Sequence, residues 1–387
     1  MTSTLRSTLR HALPWLAASF APPVGAADGS AWQWGAGYKF DALHASAPAG
    51  TAVMGHLSLR ADADAERAFG WTATTLHAEA LVDHGGKLNR RVGSLQGLSN
   101  IEVSDNAARL YSLWLQRQLT PEVSALIGLY DLNSEFYATE ASGLLIHPAF
   151  GIGSEMAQSG RNGPSIFPNL SLGLRVKAAL GGGGYVQAAL LDGVPGDPAR
   201  PGATTVRLGG GDGALLVAEA GWQGGDAALP VRWALGGWTY TRPSPRIDGS
   251  GDGRQRGVYA LAQGALIDRA EGRTTGFVRA GLAEPRLHAS LAAWDAGVLV
   301  DRPFGANGPA AFTAGLAVAV LGRAYRNSAS GAPLAAREAA LETSLRWQLS
   351  KQIAVQPLLQ RVVKVGGQPG VAATVAGLRI EWSLGND

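Results

Sequence analysis

Seven histidines, eleven tryptophans and a series of acids and bases spaced two apart are what this 387-residue sequence offers for chemistry. The histidines form no HExxH or other paired ligand spacing, and the glycines at 181–184 are not followed by GK[ST]. No serine sits in a G-x-S-x-G elbow. Cysteine is absent, which excludes disulfide frameworks, thiolate metal sites and cysteine nucleophiles. No cofactor and no enzymatic activity is expected. What remains is recognition through hydrogen bonds and ring stacking. Arg175, Lys177, Glu219, Arg232, Arg279, Glu342, Arg346, Arg379 and Glu381 occupy alternate positions of otherwise apolar segments. Acids and bases are both well represented, so the surface they form would be polar without a strong field of one sign, which suits neutral solutes. Trp114 shares a face with Ser112 and Gln116, and Trp238 shares one with Arg232. An indole on such a face can stack on the apolar side of a sugar ring. The plainer reading is that the charges are cross-paired and structural and that Trp114 packs against protein. The residues alone leave both readings open.

These side chains need a scaffold that alternates. At 338–349, Ala339, Leu341, Thr343, Leu345, Trp347 and Leu349 take one face while Glu338, Glu342, Ser344, Arg346 and Gln348 take the other. The last segment repeats this with Leu378, Ile380, Trp382 and Leu384 against Arg379, Glu381 and Ser383. Period-two alternation marks strands with one apolar and one polar face. About sixteen such segments of roughly 8–12 residues match tilted membrane-spanning strands, and roughly 22 residues per strand and connection suits a wide barrel. Trp32, Trp34, Tyr38, Phe40, Trp222 and Trp382 fall near segment ends, as interfacial girdles do. No apolar stretch reaches the ~18 residues of a membrane-spanning helix.

Connections predict the same architecture. Short turns are expected at 119–122, 179–184, 267–273 and 350–352, and long loops at 81–108, 131–168, 193–213, 241–254 and 322–337. Counted back from the C-terminus they alternate short and long, as periplasmic turns and extracellular loops should. The connection at 301–310 is long for the side on which parity places it.

Arg6 and Arg10, the apolar run 12–21 and the small residues at 24–27 read as a secretory signal, so 1–27 is expected to be removed and 28–387 to form one domain. The segment holds two arginines and no acid, so the formal charge falls from +3 to +1. No clustered basic patch points to nucleic acid.

Between Asn106 and Val176 the run GLYDLNSEFYATEASGLLIHPAFG, followed by SGRNGPSIFPNLSLGLRV, resembles the carbohydrate-selective outer-membrane porins of the OprB type. VGSLQGLSNIE, LYSLWLQRQL, LLDGVPGDP, RGVYALAQGAL and the closing LETSLRWQLSKQIAVQPLLQRVVKVGG and VAGLRIEWSL agree in order. The resemblance implies an all-β fold, a transmembrane antiparallel barrel of 16 strands in the bacterial outer membrane whose third extracellular loop folds inward. It also implies passive diffusion of small carbohydrates, insertion into outer-membrane lipid by the barrel-assembly machinery, and a monomer rather than a trimer. A plugged barrel with an enzymatic or structural role, and a soluble secreted β protein, are the competing expectations.

In the third long loop lie Asp131, Asn133, Glu135, Glu140 and Arg161. The resemblance makes them candidates for a constriction, with Trp114, Asn133, Glu135, Arg175, Lys177, Glu219, Arg279 and Arg346 the candidate residues for solute contact. A solvated loop with ordinary polar residues is the alternative. The sequence departs from the family pattern at Leu358, Arg361, Lys364, Val365 and the terminal Leu384, and the first four bear on solute preference.

Overall fold

The computed structural model describes residues 30–46, 48–207, 211–225, 231–269, 272–301, 310–329 and 333–385. The expected signal segment and the connection 302–309 lie outside them. The first half of the sheet comprises β1 (Trp32–Ala45), β2 (Gly50–Asp64), β3 (Thr74–Gly85), β4 (Ala107–Gln118), β5 (Val123–Tyr130), β6 (Ser171–Gly181), β7 (Gly184–Asp192) and β8 (Ala214–Gly224). The second half comprises β9 (Val231–Pro245), β10 (Asp252–Arg269), β11 (Gly272–Ala283), β12 (Ser290–Asp301), β13 (Ala310–Leu321), β14 (Arg337–Gln348), β15 (Ile353–Val363) and β16 (Ala372–Gly385). Each strand pairs antiparallel with its sequence neighbours, and β1 closes on β16 with Gly35 opposite Gly385. Closure leaves no sheet edge, the condition for crossing a membrane with strands.

The outer face is apolar. Leu174, Leu235, Leu282, Leu341 and Leu359 are exposed on it, while the residues between them are buried or face inward. A fold that leaves its leucines outside and its arginines inside has hydrocarbon, not water, around it. Trp32, Trp34, Trp71, Trp222, Trp233, Trp347 and Trp382 stand at the rim carrying the short turns, forming a girdle there. The opposite rim carries the long loops.

Two connections differ from expectation. The long loop expected at 241–254 is mostly strand: β9 runs to Pro245 and β10 starts at Asp252, with Pro245 paired to Asp252. The alternation there is broken by two prolines, whose missing N–H groups are tolerated beyond the last regular ladder bonds. The loop expected at 81–108 shortens to 86–106 because β3 continues to Gly85.

The interior is filled from the loop side. The loop 131–170 lies inside the barrel, and Phe136, Tyr137, Ile152 and Met156 pack with Tyr185, Val217, Trp238 and Tyr259 of β7–β10. The loop 86–106 is drawn in at the seam. Leu98 and Ile101 pack with Leu43, Met54, Leu358 and Val362. Glu338 accepts from Ser94 Oγ at 2.9 Å and from the backbone amides of Leu95 and Gln96 at 3.1 Å. Leu358 therefore fills a core beneath this loop, while Arg361 faces outward; neither departure from the family pattern lines the lumen.

At the same seam Arg379 Nε and Nη2 donate to Asp41 at 2.7 and 2.8 Å, and both residues are buried. Removing one partner leaves an uncompensated buried charge, at a cost of about 3–5 kcal/mol. Arg379→Ala is therefore expected to lower the temperature at which the barrel loses its compact mobility on SDS gels. An unchanged melting temperature would show that the pair does not hold the closing strands.

Candidate functional site

The loop 131–170 is held across the lumen by charges projecting inward from β6, β8, β11 and β14. It begins with a 3-10 turn, Leu132–Ser134, capped by Asp131, whose Oδ1 accepts from Asn133 N at 2.9 Å and whose Oδ2 accepts from Tyr111 Oη at 2.6 Å. The turn delivers Glu135 to Arg175 of β6. Arg175 Nε and Nη2 donate to the two carboxylate oxygens at 2.8 and 3.1 Å, a bidentate pair, and Tyr130 Oη donates to Oε2. The rest of the Arg175 guanidinium is used by Ser124 Oγ at 2.8 Å and Gln116 Oε1 at 2.6 Å. Lys177 Nζ stands 3.9 Å from Glu135 Oε1 and keeps 42% of its side chain exposed, against 3% for Arg175.

Glu219 of β8 is a hub. Its Oε1 accepts from Tyr185 Oη at 2.8 Å, Gln187 Nε2 at 3.0 Å and Arg232 Nη2 at 2.8 Å. Its Oε2 accepts from Tyr259 Oη at 2.9 Å and the Tyr137 amide at 3.0 Å. Arg279 of β11 pairs with Asp295 at 3.1 Å and donates to the Tyr137 and Ala149 carbonyls at 3.1 and 3.2 Å. Glu342 of β14 accepts from the Ile146 and His147 amides at 2.8 and 2.7 Å. An irregular loop cannot satisfy its own backbone, and these carboxylates and guanidinia supply the partners that water would.

Glu135, Arg175 and Lys177 thus form one cluster. Asn133 lies two residues away with its amide turned back to the Phe136 carbonyl at 3.1 Å. Glu219 is joined to the cluster through Arg232 and Gln187, both donating to the Glu135 carbonyl, at 3.0 and 3.2 Å. Arg279 serves the far end of the loop. Arg346 is apart, near the turn rim, with its Nε 2.8 Å from Glu381 Oε2. Trp114 points inward and stacks on His77, ring centroids 4.6 Å apart. Trp238 is buried in the core with the loop.

Facing the loop is a polar wall on β2–β4 whose residues were not among the sequence candidates. His77 is held at both nitrogens, by Asp62 Oδ1 at 2.7 Å and Ser112 Oγ at 2.8 Å. Ser58 donates to Glu79 at 2.5 Å, and His56 meets Asp83 at 2.7 Å. Phe167, from the loop, sits 5.6 Å from the His56 ring and 6.1 Å from the Tyr111 ring. The signal for β2 and β3 was the same alternation, since His56, Ser58, Arg60 and Asp62 are spaced by two, as are His77 and Glu79. Asp62, His77 and Ser112 have the order of a nucleophilic relay. However, Ser112 is buried, and its neighbours Leu113 and Trp114 are paired into the sheet with β5. The relay fixes the His77 ring beneath Trp114.

A model of the carbohydrate-selective porin family OprB matches residues 49–384. The chain belongs to that family. The fold agrees: a high-pH structure of Pseudomonas putida OprB superposes with a TM-score of 0.79 at 16% identity, covering 91% of this chain and 94% of that one. A low-pH structure of the same protein gives 0.56 at 14% identity over 91% and 92%. An anion-selective porin from Comamonas acidovorans gives 0.54 at 10% identity over 91% and 99%. No curated protein sequence matches. As a member of the OprB family the chain is an outer-membrane porin through which sugars diffuse, a channel rather than an enzyme.

In this porin the inward loop carries a deeply buried carboxyl under unusual pressure. Glu155, in the helical turn Ser154–Ala157, is fully buried, and a Cβ built on Gly281 of β11 would lie 1.8 Å from its Oε1. Burial pushes its pKa up to about 7, with the Tyr137 hydroxyl and the Arg279 charge acting the other way. An acid whose folded pKa is raised stabilises most below its ordinary pKa and loses that contribution as pH rises through the folded value. The loop is therefore expected to pack most firmly below about pH 4.5 and to lose on the order of 3 kcal/mol progressively as pH rises from there to about 7. Hydrogen exchange of residues 150–160 checks this, with Glu155→Gln expected to reduce the pH dependence. An undiminished pH dependence in that variant would assign it to another group.

Proposed function

We propose that solutes pass between the inward loop and the polar wall of β2–β4, and that the side chains bordering this gap select small neutral sugars. The observation that carries the reading is the difference in exposure within one ion-pair cluster. Arg175 is buried and spent on protein partners, whereas Lys177 and the edge of Glu135 remain in reach of water. A fixed acid and a fixed base side by side offer hydroxyl groups both an acceptor and a donor without a net field. On the opposite side, Trp114 over His77 and Phe167 beside Tyr111 offer flat rings to the C–H faces of a pyranose.

Within this reading the eight candidate residues divide by task. Lys177, Glu135 and Trp114 meet solute, and Asn133 shapes the turn that presents Glu135. Arg175, Glu219 and Arg279 seat the loop. Arg346, with Glu381, gives the exit a balanced charge pair. Residues 1–27 act as an export signal, 28–387 form one domain inserted by the barrel-assembly machinery, and the barrel works as a monomer. Passage makes and breaks no covalent bond, needs no cofactor and is driven by the concentration gradient.

Liposome swelling with purified protein tests the reading. Neutral monosaccharides and disaccharides are expected to enter in order of size and faster than in protein-free vesicles; entry no faster than the blank would overturn it. Trp114→Ala is expected to slow sugar entry about two- to tenfold relative to polyols of equal size, since a ring contact contributes roughly 0.5–1.5 kcal/mol. Equal effects on both solute classes would remove Trp114 from recognition. Glu135→Ala, which strands Arg175 and Lys177, is expected to shift planar-bilayer ion selectivity towards anions. Unchanged selectivity and conductance would place Glu135 outside the constriction.

A further inference from the structure

The outer surface of the barrel carries a polar row that solute passage does not explain. At the loop-side ends of β15, β16, β1 and β2, outward residues lie side by side: Arg361 is opposite Thr374, and His44 is opposite Thr51. Ser46, continuing from β1, donates its amide to the Thr374 carbonyl at 2.9 Å, and its Oγ accepts from the Thr374 amide at 3.2 Å. Arg361 Nη1 donates to Thr374 Oγ1 at 2.6 Å, and His44 Nδ1 lies 2.9 Å from Thr51 Oγ1. Arg91, from the loop 86–106, reaches over the end of β2 and donates to the Thr51 carbonyl at 2.8 Å. With neighbouring strands ~4.8 Å apart, the row is roughly 15 Å wide.

Three properties point to what covers it. The residues below the row on the same face are apolar and exposed: Leu359, Leu378 and Val53. Their surroundings are therefore acyl chains, and the row stands where those chains end. Arg361, His44, Ser46, Thr51 and Arg91 are exposed. Among the described residues, the outward positions of β14, β15, β16, β1 and β2 contain no Asp or Glu, so Arg361 meets no acid on that face, while the one acid acting on Arg91 is Glu102 of its own loop. Guanidinium groups flanking hydroxyls and an imidazole offer phosphate oxygens bidentate charge-assisted bonds and several further donors.

We propose that this row is a binding site for the phosphorylated headgroup of an outer-leaflet lipid. Arg361 and Arg91, at opposite ends of the row, each bond phosphate oxygens of the headgroup, Ser46, Thr51 and Thr374 bond the sugar or glycerol hydroxyls between them, and the acyl chains run down over Leu359, Leu378 and Val53. The site lies on the outside of the barrel, so it stands or falls independently of which solute passes within. Arg117, exposed at the turn-side end of β4, serves as an internal control on the opposite rim.

The test is native mass spectrometry of the full-length porin reconstituted with bisphosphorylated lipid A, or with the same lipid enzymatically dephosphorylated. The wild type is expected to retain the phosphorylated lipid and release the dephosphorylated one. Each basic residue near a charged surface contributes about fivefold to binding, so Arg361→Gln with Arg91→Gln should weaken retention roughly 25-fold. Arg117→Gln should change nothing. Unaltered sugar entry into liposomes by the double variant shows that it is folded. Equal retention of both lipids, or undiminished retention by a double variant that still conducts sugar, would overturn the proposal.

Discussion

The structure depends on the need to satisfy every polar backbone group of a loop that has been carried into a barrel. A forty-residue segment without regular ladders has many amides and carbonyls with no partner of their own. The wall answers with charged side chains. Glu219 receives the Tyr137 amide, Glu342 those of Ile146 and His147, and Arg279 takes the Tyr137, Ala149 and Gly151 carbonyls. Each of these charges would be costly if buried alone; each is stable because the loop and its strand neighbours complete its coordination. Loop and wall therefore stabilise one another.

That mutual dependence separates two kinds of polar residue that share one face of the sheet. Buried charges fix the position of the loop, and half-exposed ones are, on the proposed reading, left to meet solute. Arg175 and Lys177 show the division within two residues: the same strand and the same face, but the first is fully used by Glu135, Ser124 and Gln116 while the second reaches past them. The proposed selection of neutral solutes rests on this pairing, because a lumen whose charges are matched locally exerts little field on a distant ion.

The barrel was legible in the sequence because its signal is periodic and repeated. Alternation at 338–349 gives β14 within a residue at either end, and the turn at 119–122 is where the chain reverses. The loop expected at 241–254 was misread because two prolines and several charges suggest a turn, while the ladder tolerates prolines at its end. The site was legible in part. Period two places Arg175, Glu219 and Arg279 on the inner face, but which inner residues a folded-in loop covers depends on contacts across 40 to 142 positions of sequence. The β2–β4 wall escaped notice although its spacing was equally regular, because its histidines and acids match no motif until neighbouring strands bring Asp62, His77 and Ser112 together.

The position of Glu342 has a consequence for biogenesis. The residues it caps, Ile146 and His147, are made long before β14, yet their amides have no final acceptor until that strand has joined the sheet. An incomplete barrel therefore encloses a loosely seated loop and a broad, unselective opening. Narrowing of the passage coincides with the last steps of closure, so the same bonds that shape the pore also report that the wall around it is finished.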